Sequence, residues 1–253
     1  MAISDTYEFN PDIGDIIEEA YERAGLEVRS GNDIRTARRS LNLITLEWQN
    51  RGLNLWTVDG PSKVSATSGG SALTTNYLNQ GEASYRLDSA TTSLLDVLIR
   101  INDGDASTQS DYHMSRISQP TYASLPNKLS QGRPLQYYLQ RREILDVSAD
   151  GSDQYNDITL WPVPDKDLEY KLVYWRVKRI SDAGDNASNT MQVPDRFIPA
   201  LVSGLAYQIA CKNPEANQKV GILKQMYDEQ FQLAAEEDRV KTSARFVPRI
   251  SGY

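Results

Sequence analysis

At 253 residues, with 40% hydrophobic and 24% charged side chains, the chain has ample core for one large domain or two small ones, and wholesale disorder is excluded. A formal net charge of −7 excludes a protein that coats DNA through a basic surface, though not one past which DNA slides without sticking. Cys211 and His113 are the single cysteine and histidine, so an internal disulfide and a thiolate zinc cluster are ruled out and hydrolases needing a His base hang on one residue. No run approaches the roughly 18 consecutive apolar residues of a membrane span, and the acidic start MAISDTYEF does not read as a signal peptide. The expectation is a soluble protein made in a cytoplasm.

Residues 1–9 read as a leader with Tyr7 and Phe9 as anchors. Asn10-Pro11-Asp12 then reads as N-cap, N1 proline and first-turn acid. Ile13, Ile16, Ile17, Ala20 and Ala24 form one helical stripe, and Gly25 ends it. After a short connection, Ile34, Ala37, Leu41, Ile44 and Trp48 mark a second helix over residues 33–51, capped by Asn32 or Asp33 and stopped by Gly52. The two helices are expected to form an antiparallel hairpin. The second carries Leu43 and Leu46, with Arg35 and Arg39, opposite its core stripe. Apolar surface on two sides marks it as the central element of the fold.

From residue 53 to 180 the pattern changes to short apolar or alternating runs between Gly, Ser, Asn and Asp clusters, the pattern of a β domain. Residues 55–58 begin it, and residues 63–66 follow across the Asp59-Gly60-Pro61 turn. Residues 94–101, LLDVLIRI, predict a strand buried on both faces. Residues 134–141 alternate as a strand, and a helical turn is expected near residues 118–124. Residues 158–162 and 170–178 read as the clearest pair, joined by the turn VPDKD.

Helices return at Pro194-Asp195. Ile198, Leu201, Val202, Leu205 and Ile209 stripe a helix running to about Lys212. Asn213-Pro214 caps the next, where Val220, Leu223, Tyr227, Phe231 and Ala234 repeat as far as about Val240. Residues 241–253, KTSARFVPRISGY, have no periodicity, carry Lys241, Arg245 and Arg249 without an acid, and offer Phe246, Val247, Ile250 and Tyr253 as apolar anchors. Such a segment is disordered or docks on another chain. The expected fold is α+β: a four-helix bundle built from N- and C-terminal hairpins (residues 1–52 and 190–240), an inserted small antiparallel β barrel or sandwich (residues 53–189), and an extended tail (residues 241–253).

No catalytic, cofactor or metal set emerges. The acidic loops at residues 102–105, 150–153 and 182–185 lack the order of a calcium-binding EF-hand and fit turn chemistry. Gly69-Gly70 lacks the flanking strand and helix of a phosphate loop. Glu18-Glu19 and Glu236-Glu237 fit solvated helix faces. Tyr137, Tyr138, Trp161, Tyr174 and Trp175 suit a small β core better than a stacking platform, though a carbohydrate- or receptor-binding tail component remains the main alternative function, with a cell-wall hydrolase behind it.

The segments TARRSLNLITLEWQNRGLNLW, SRISQPTYASLPNKLSQGRPLQYYLQRR, ITLWPVPDKDLEYKLVYWRVKRI and VPDRFIPALVSGLAYQIACK, in that order, resemble the head-to-tail adaptor proteins of short-tailed bacteriophages, the family of tail tubular protein A and the packaged-DNA stabilisation proteins. The resemblance implies a non-enzymatic virion protein of the neck, assembled in the host cytoplasm. Twelve copies would form a ring under the portal protein, extend the DNA channel without sequence-specific DNA contacts or membrane attachment, and offer a platform to the tail nozzle protein. It also implies a tail that reaches the portal, which assigns Lys241, Arg245, Phe246, Arg249, Ile250 and Tyr253 to portal binding. The physical reading assigns Arg35, Arg39, Leu43 and Leu46 to a subunit interface, since a ring needs heterologous contacts on both sides of each copy.

Overall fold

The computed structural model describes residues 9–52, 55–62, 67–68, 71–72, 77–141, 156–186 and 188–238. In chain order these form α1 (Ile13–Ala24), α2 (Gly31–Arg51), β1 (Val58–Ser62), β2 (Thr67–Ser68), β3 (Ser71–Ala72), β4 (Ser84–Arg86) and β5 (Thr91–Ile101). Then come β6 (Ser110–His113), β7 (Ser115–Arg116), α3 (Gln119–Ala123), β8 (Gln136–Arg141), β9 (Asn156–Trp161), β10 (Tyr170–Lys178), α4 (Ile198–Lys212) and α5 (Val220–Glu237). The fold is mixed α+β and divides into two compact units, residues 1–56 with 180–253, and residues 57–179. The tail at residues 241–253, expected from sequence to bind the portal, and the loop at residues 150–153 lie outside the described residues, as do Gly69-Gly70 and the strand expected at residues 63–66.

In the helical unit, α1, α2, α4 and α5 share one hydrophobic core. Each helix starts and stops for a local reason. The Asp12 carboxylate accepts from the Asp15 N–H while Asp15 reaches back to the cap, a capping box that starts α1 two residues later than the Asn10 cap expected from sequence. Gly25, at φ 75°, closes it in the left-handed region that favours glycine. Ser30, not Asn32 or Asp33, caps α2, because its Oγ accepts from the Asp33 N–H and the Asp33 side chain accepts from the Ser30 N–H. Asp33 is therefore the third helical residue.

The central helix is α4 rather than α2. Seven successive residues of α4, Ala200 to Ala206, are buried, and a run longer than two turns at ~3.6 residues per turn covers every face. Its small residues permit this. A Cβ on Gly204 would lie 2.8 Å from Cε2 of Tyr227, so glycine lets α5 pack directly on the α4 backbone. α2 instead buries one face, Ala37, Leu41, Ile44 and Trp48, and leaves Leu43 and Leu46 in solvent. Residues after the β segment complete this core: Ile180, Ala183, Met191, Val193 and Phe197 are all buried in it. Trp56 packs against it too, 6.0 Å from Phe197, within a 3-10 turn at Leu55–Thr57 where sequence suggested a strand.

The other unit holds two sheets. One runs β1-β10-β5-β6 and is antiparallel throughout. The other runs β3-β2-β4-β9-β8-β7, antiparallel except for the β7–β8 pair. Both feed one core: Leu94, Val97, Ile99, Leu172 and Tyr174 from the first, Tyr85, Tyr137, Leu139, Ile158 and Leu160 from the second. The hairpin expected between β9 and β10 does not form. Each is internal to its own sheet, with β4 and β8 on the edges of β9 and β1 and β5 on those of β10, so neither has an edge left for the other. β5 corrects a second expectation. Its pairing with β10 skips Thr92 and Leu95, two bulges that turn Leu95 out to 47% exposure while Val97, Leu98 and Ile99 stay buried.

Candidate interaction surfaces

The face of α2 opposite its core stripe presents Arg35, Arg39, Leu43 and Leu46 together on three turns of helix, all exposed, with Leu43 at 58% and Leu46 at 53%. Neither arginine pairs with a carboxylate among the described residues; the Arg39 guanidinium touches only Thr36 Oγ1, at 3.4 Å. The positive field extends to Lys212, whose ammonium is pulled down first by burial and then by the Arg39 charge. On the inner face Trp48 is fully buried and its indole N–H donates to the Tyr227 hydroxyl at 2.9 Å. Burial pushes that phenol up to about 12, so it stays protonated.

A second exposed apolar row escaped the sequence reading. Ile222, Met226 and Leu233 of α5 are 65%, 39% and 58% exposed. Their spacing of four and seven places them on one side of the helix, offset from the Leu223, Tyr227 and Ala234 core line. The signal was a second 3.6-period line beside the first. In the same unit, Phe9, 70% exposed, sits in an open groove of about 640 Å³ with Ile16, Glu19 and Val202 on its walls.

Other polar groups satisfy one another. Asn102 and Gly104 take positive φ values of 55° and 91°, as a tight turn requires. Asp103 bridges Arg100 and Lys171 there, and Arg100 grips Asp111 with two bonds of 2.8 and 2.9 Å. Lys171 foremost, then Arg100, holds the Asp103 carboxyl below its usual range. A carboxylate whose folded pKa is depressed stabilises the fold above its unfolded pKa of about 4 and loses that contribution as pH falls through the folded value. Asp103→Asn is therefore expected to flatten the acid limb of the stability curve below about pH 4, read by acid titration of circular dichroism; an unchanged limb would show the bridge contributes nothing.

In the 182–185 loop the Asp182 carboxylate accepts from the Gly184 N–H at 3.1 Å, again turn chemistry. Tyr137 and Tyr174 are buried in the β core, whereas Tyr138 stacks on Tyr122 at 5.8 Å and Trp161 donates to the Asn127 carbonyl. The five aromatics thus do not gather on one face. His113 lies on the surface 3.4 Å from Asp96, and Cys211 is exposed. Among the described residues no group of His, Cys, Asp or Glu could hold a metal ion, and no helix is long and apolar enough to cross a membrane.

No curated protein matches the chain. The family model for the SU10 adaptor protein matches residues 11–249, a span that includes α1 to α5 and both sheets of the described residues. The chain therefore belongs to the SU10 adaptor protein family, a structural phage adaptor.

Proposed function

We propose that this chain is a ring-forming head-to-tail adaptor, with twelve copies below the portal protein extending the DNA channel and presenting a docking platform to the tail nozzle protein. The observation that carries the reading is the family match across nearly the whole chain, in both compact units. In this reading the four long helices act as a bundle that builds the ring, and residues 53–189 form an inserted β domain. Residues 241–253 reach the portal through Lys241, Arg245, Phe246, Arg249, Ile250 and Tyr253. A net charge of −7 suits a channel wall, because it offers DNA little of the counterion-release affinity that would hold it in place. The protein resides in the virion neck after assembly in the host cytoplasm, and carries out no catalysis.

The subunit contact assigned to Arg35, Arg39, Leu43 and Leu46 fits two exposed leucines framed by arginines that meet no carboxylate among the described residues. Leu43→Asp is expected to leave the monomer folded, with stability changed by less than about 0.5 kcal/mol at so exposed a site, and to abolish ring formation with portal. Sedimentation of the variant with portal reads the result; normal rings, or an unfolded monomer, would sink the assignment. Deleting residues 241–253 is expected to remove portal binding while leaving the helical unit intact, measured by co-sedimentation with portal particles. Undiminished binding would overturn the role of the tail.

A further inference from the structure

We infer that the Ile222, Met226 and Leu233 row of α5 is the other half of the subunit contact, docking the α2 face of a second copy of this chain head to tail. The inference rests on the ring reading and names the surface that reading leaves open.

Charge selects the partner. Around the α5 row the exposed ionisable side chains are Glu229, between Met226 and Leu233, Glu236 and Glu237 beyond it, and Lys219 one turn before Ile222, whose ammonium lies against Gly25 at the end of α1. Lys224, the single base of α5, falls on the opposite side of the helix. The α2 face is the converse, with Arg35 and Arg39 exposed and its bordering acid, Glu47, already held by Arg51. Against its own copy the α2 patch sets arginine against arginine when the helices run parallel, and buries Arg35 and Arg39 against leucines without a counter-charge when they run antiparallel. Each pairs with the other without that penalty, leucines against isoleucine, methionine and leucine, arginines against glutamates.

Dimensions and placement agree. Residues 35 to 46 and residues 222 to 233 each span 11 steps of helix, about 16 Å at the helical rise. The α5 row also lies about a third of a turn or more from Asp228, the residue 3.9 Å from Arg51 on α2 of the same chain. The row therefore points away from its own α2. A contact that propagates from copy to copy needs its two halves on different flanks, whereas halves facing one direction would close on one partner.

The test uses the full-length chain with portal, read by sedimentation velocity and by circular dichroism for folding. Met226→Asp is expected to fold and to fail to form rings. Mixed with Leu43→Asp, it should give a discrete heterodimer, since one variant keeps an intact α2 face and the other an intact α5 face. Two α2-face variants mixed together should stay monomeric. Arg39→Glu and Glu229→Arg are each expected to weaken association about tenfold or more, and the double variant to restore it. Should Met226→Asp unfold, Leu233→Asp on the same row provides the same reading.

If wild-type rings form and Met226→Asp or Leu233→Asp joins them normally, the α5 assignment is overturned while the ring stands. The same holds if both charge reversals disrupt assembly but their combination does not recover. A wild-type chain that forms no ring with portal overturns the ring reading and this contact with it.

Discussion

Trp48→Ala is expected to cost the helical unit about 3–5 kcal/mol, the range for truncating a large buried aromatic, and at that size to leave the unit largely unfolded at physiological temperature. Trp48 is wholly buried, its ring centroid 5.5 Å from Phe197 and 5.8 Å from Phe231. It joins three helices of the unit, because the residues it touches lie just before α4 and on α5. Two losses add: the cavity left by the indole, and the hydrogen bond that leaves the buried Tyr227 hydroxyl without its donor. Trp48→Phe keeps most of the volume and is expected to lose about 1–2 kcal/mol. Hydrogen exchange of α2 and α5 amides measures the effect, and protection within about 0.5 kcal/mol of wild type in Trp48→Ala would refute it. The contrast with Leu43→Asp, five residues earlier on the same helix, is the useful one: one face of α2 holds the monomer, and the other stays in solvent.

Arg176→Ala is expected to destabilise the β unit by about 2–4 kcal/mol. The Arg176 side chain is 8% exposed and binds Asp59 through Nε and Nη2, Asp88 through Nη1 at 3.1 Å, and the buried Thr91 hydroxyl at 2.9 Å. It thus ties β10 to β1, to the start of β5 and to the turn before β5. The two aspartates are 44% and 38% exposed, so water can solvate them once the guanidinium is gone. That places the cost below the full penalty of an orphaned buried charge, and most of it falls on Thr91 and the vacated volume. Arg176→Lys is expected to recover less than half, because an ammonium cannot meet three partners with a planar fork. Exchange rates of peptides covering β5 and β10 report the change, and equal protection in Arg176→Ala and wild type would show that the network adds nothing to stability.

The groups within reach of pH divide by cause. Tyr85 lies well above the ordinary phenol range because it is buried, and Tyr170 is pushed up to about 12 by burial and by donating to Asp165. Both remain protonated donors at any pH the protein meets. Asp105 is held down to about 2 by the Thr108 hydroxyl, then by Ser107, and stays a carboxylate acceptor that shapes its loop.

What the sequence determined by itself is everything carried by neighbours three or four residues apart. The stripes of α1, α2, α4 and α5, the glycine stops at Gly25 and Gly52, and the helical turn near residues 118–124 are all local patterns. So was the order of segments that resembles a phage adaptor, which the family match bears out. Caps were misplaced by two or three residues because Asn10, Asn32 and Asp33 are also good N-caps, and only the bonds made by Asp12 and Ser30 select between them. Tertiary structure decided the rest. β9 and β10 look like a hairpin until their edges are taken by strands from elsewhere in the chain, in one case through Arg176 and Asp59, 117 residues apart. α2 and α4 both show more than one apolar face, and packing assigned the interior to α4 because its small residues admit neighbours on all sides, leaving Leu43, Leu46 and the Ile222 row at the surface. Which apolar residues remain outside is a property of the assembled core, because a local pattern of apolar positions does not say which of its faces another element will cover.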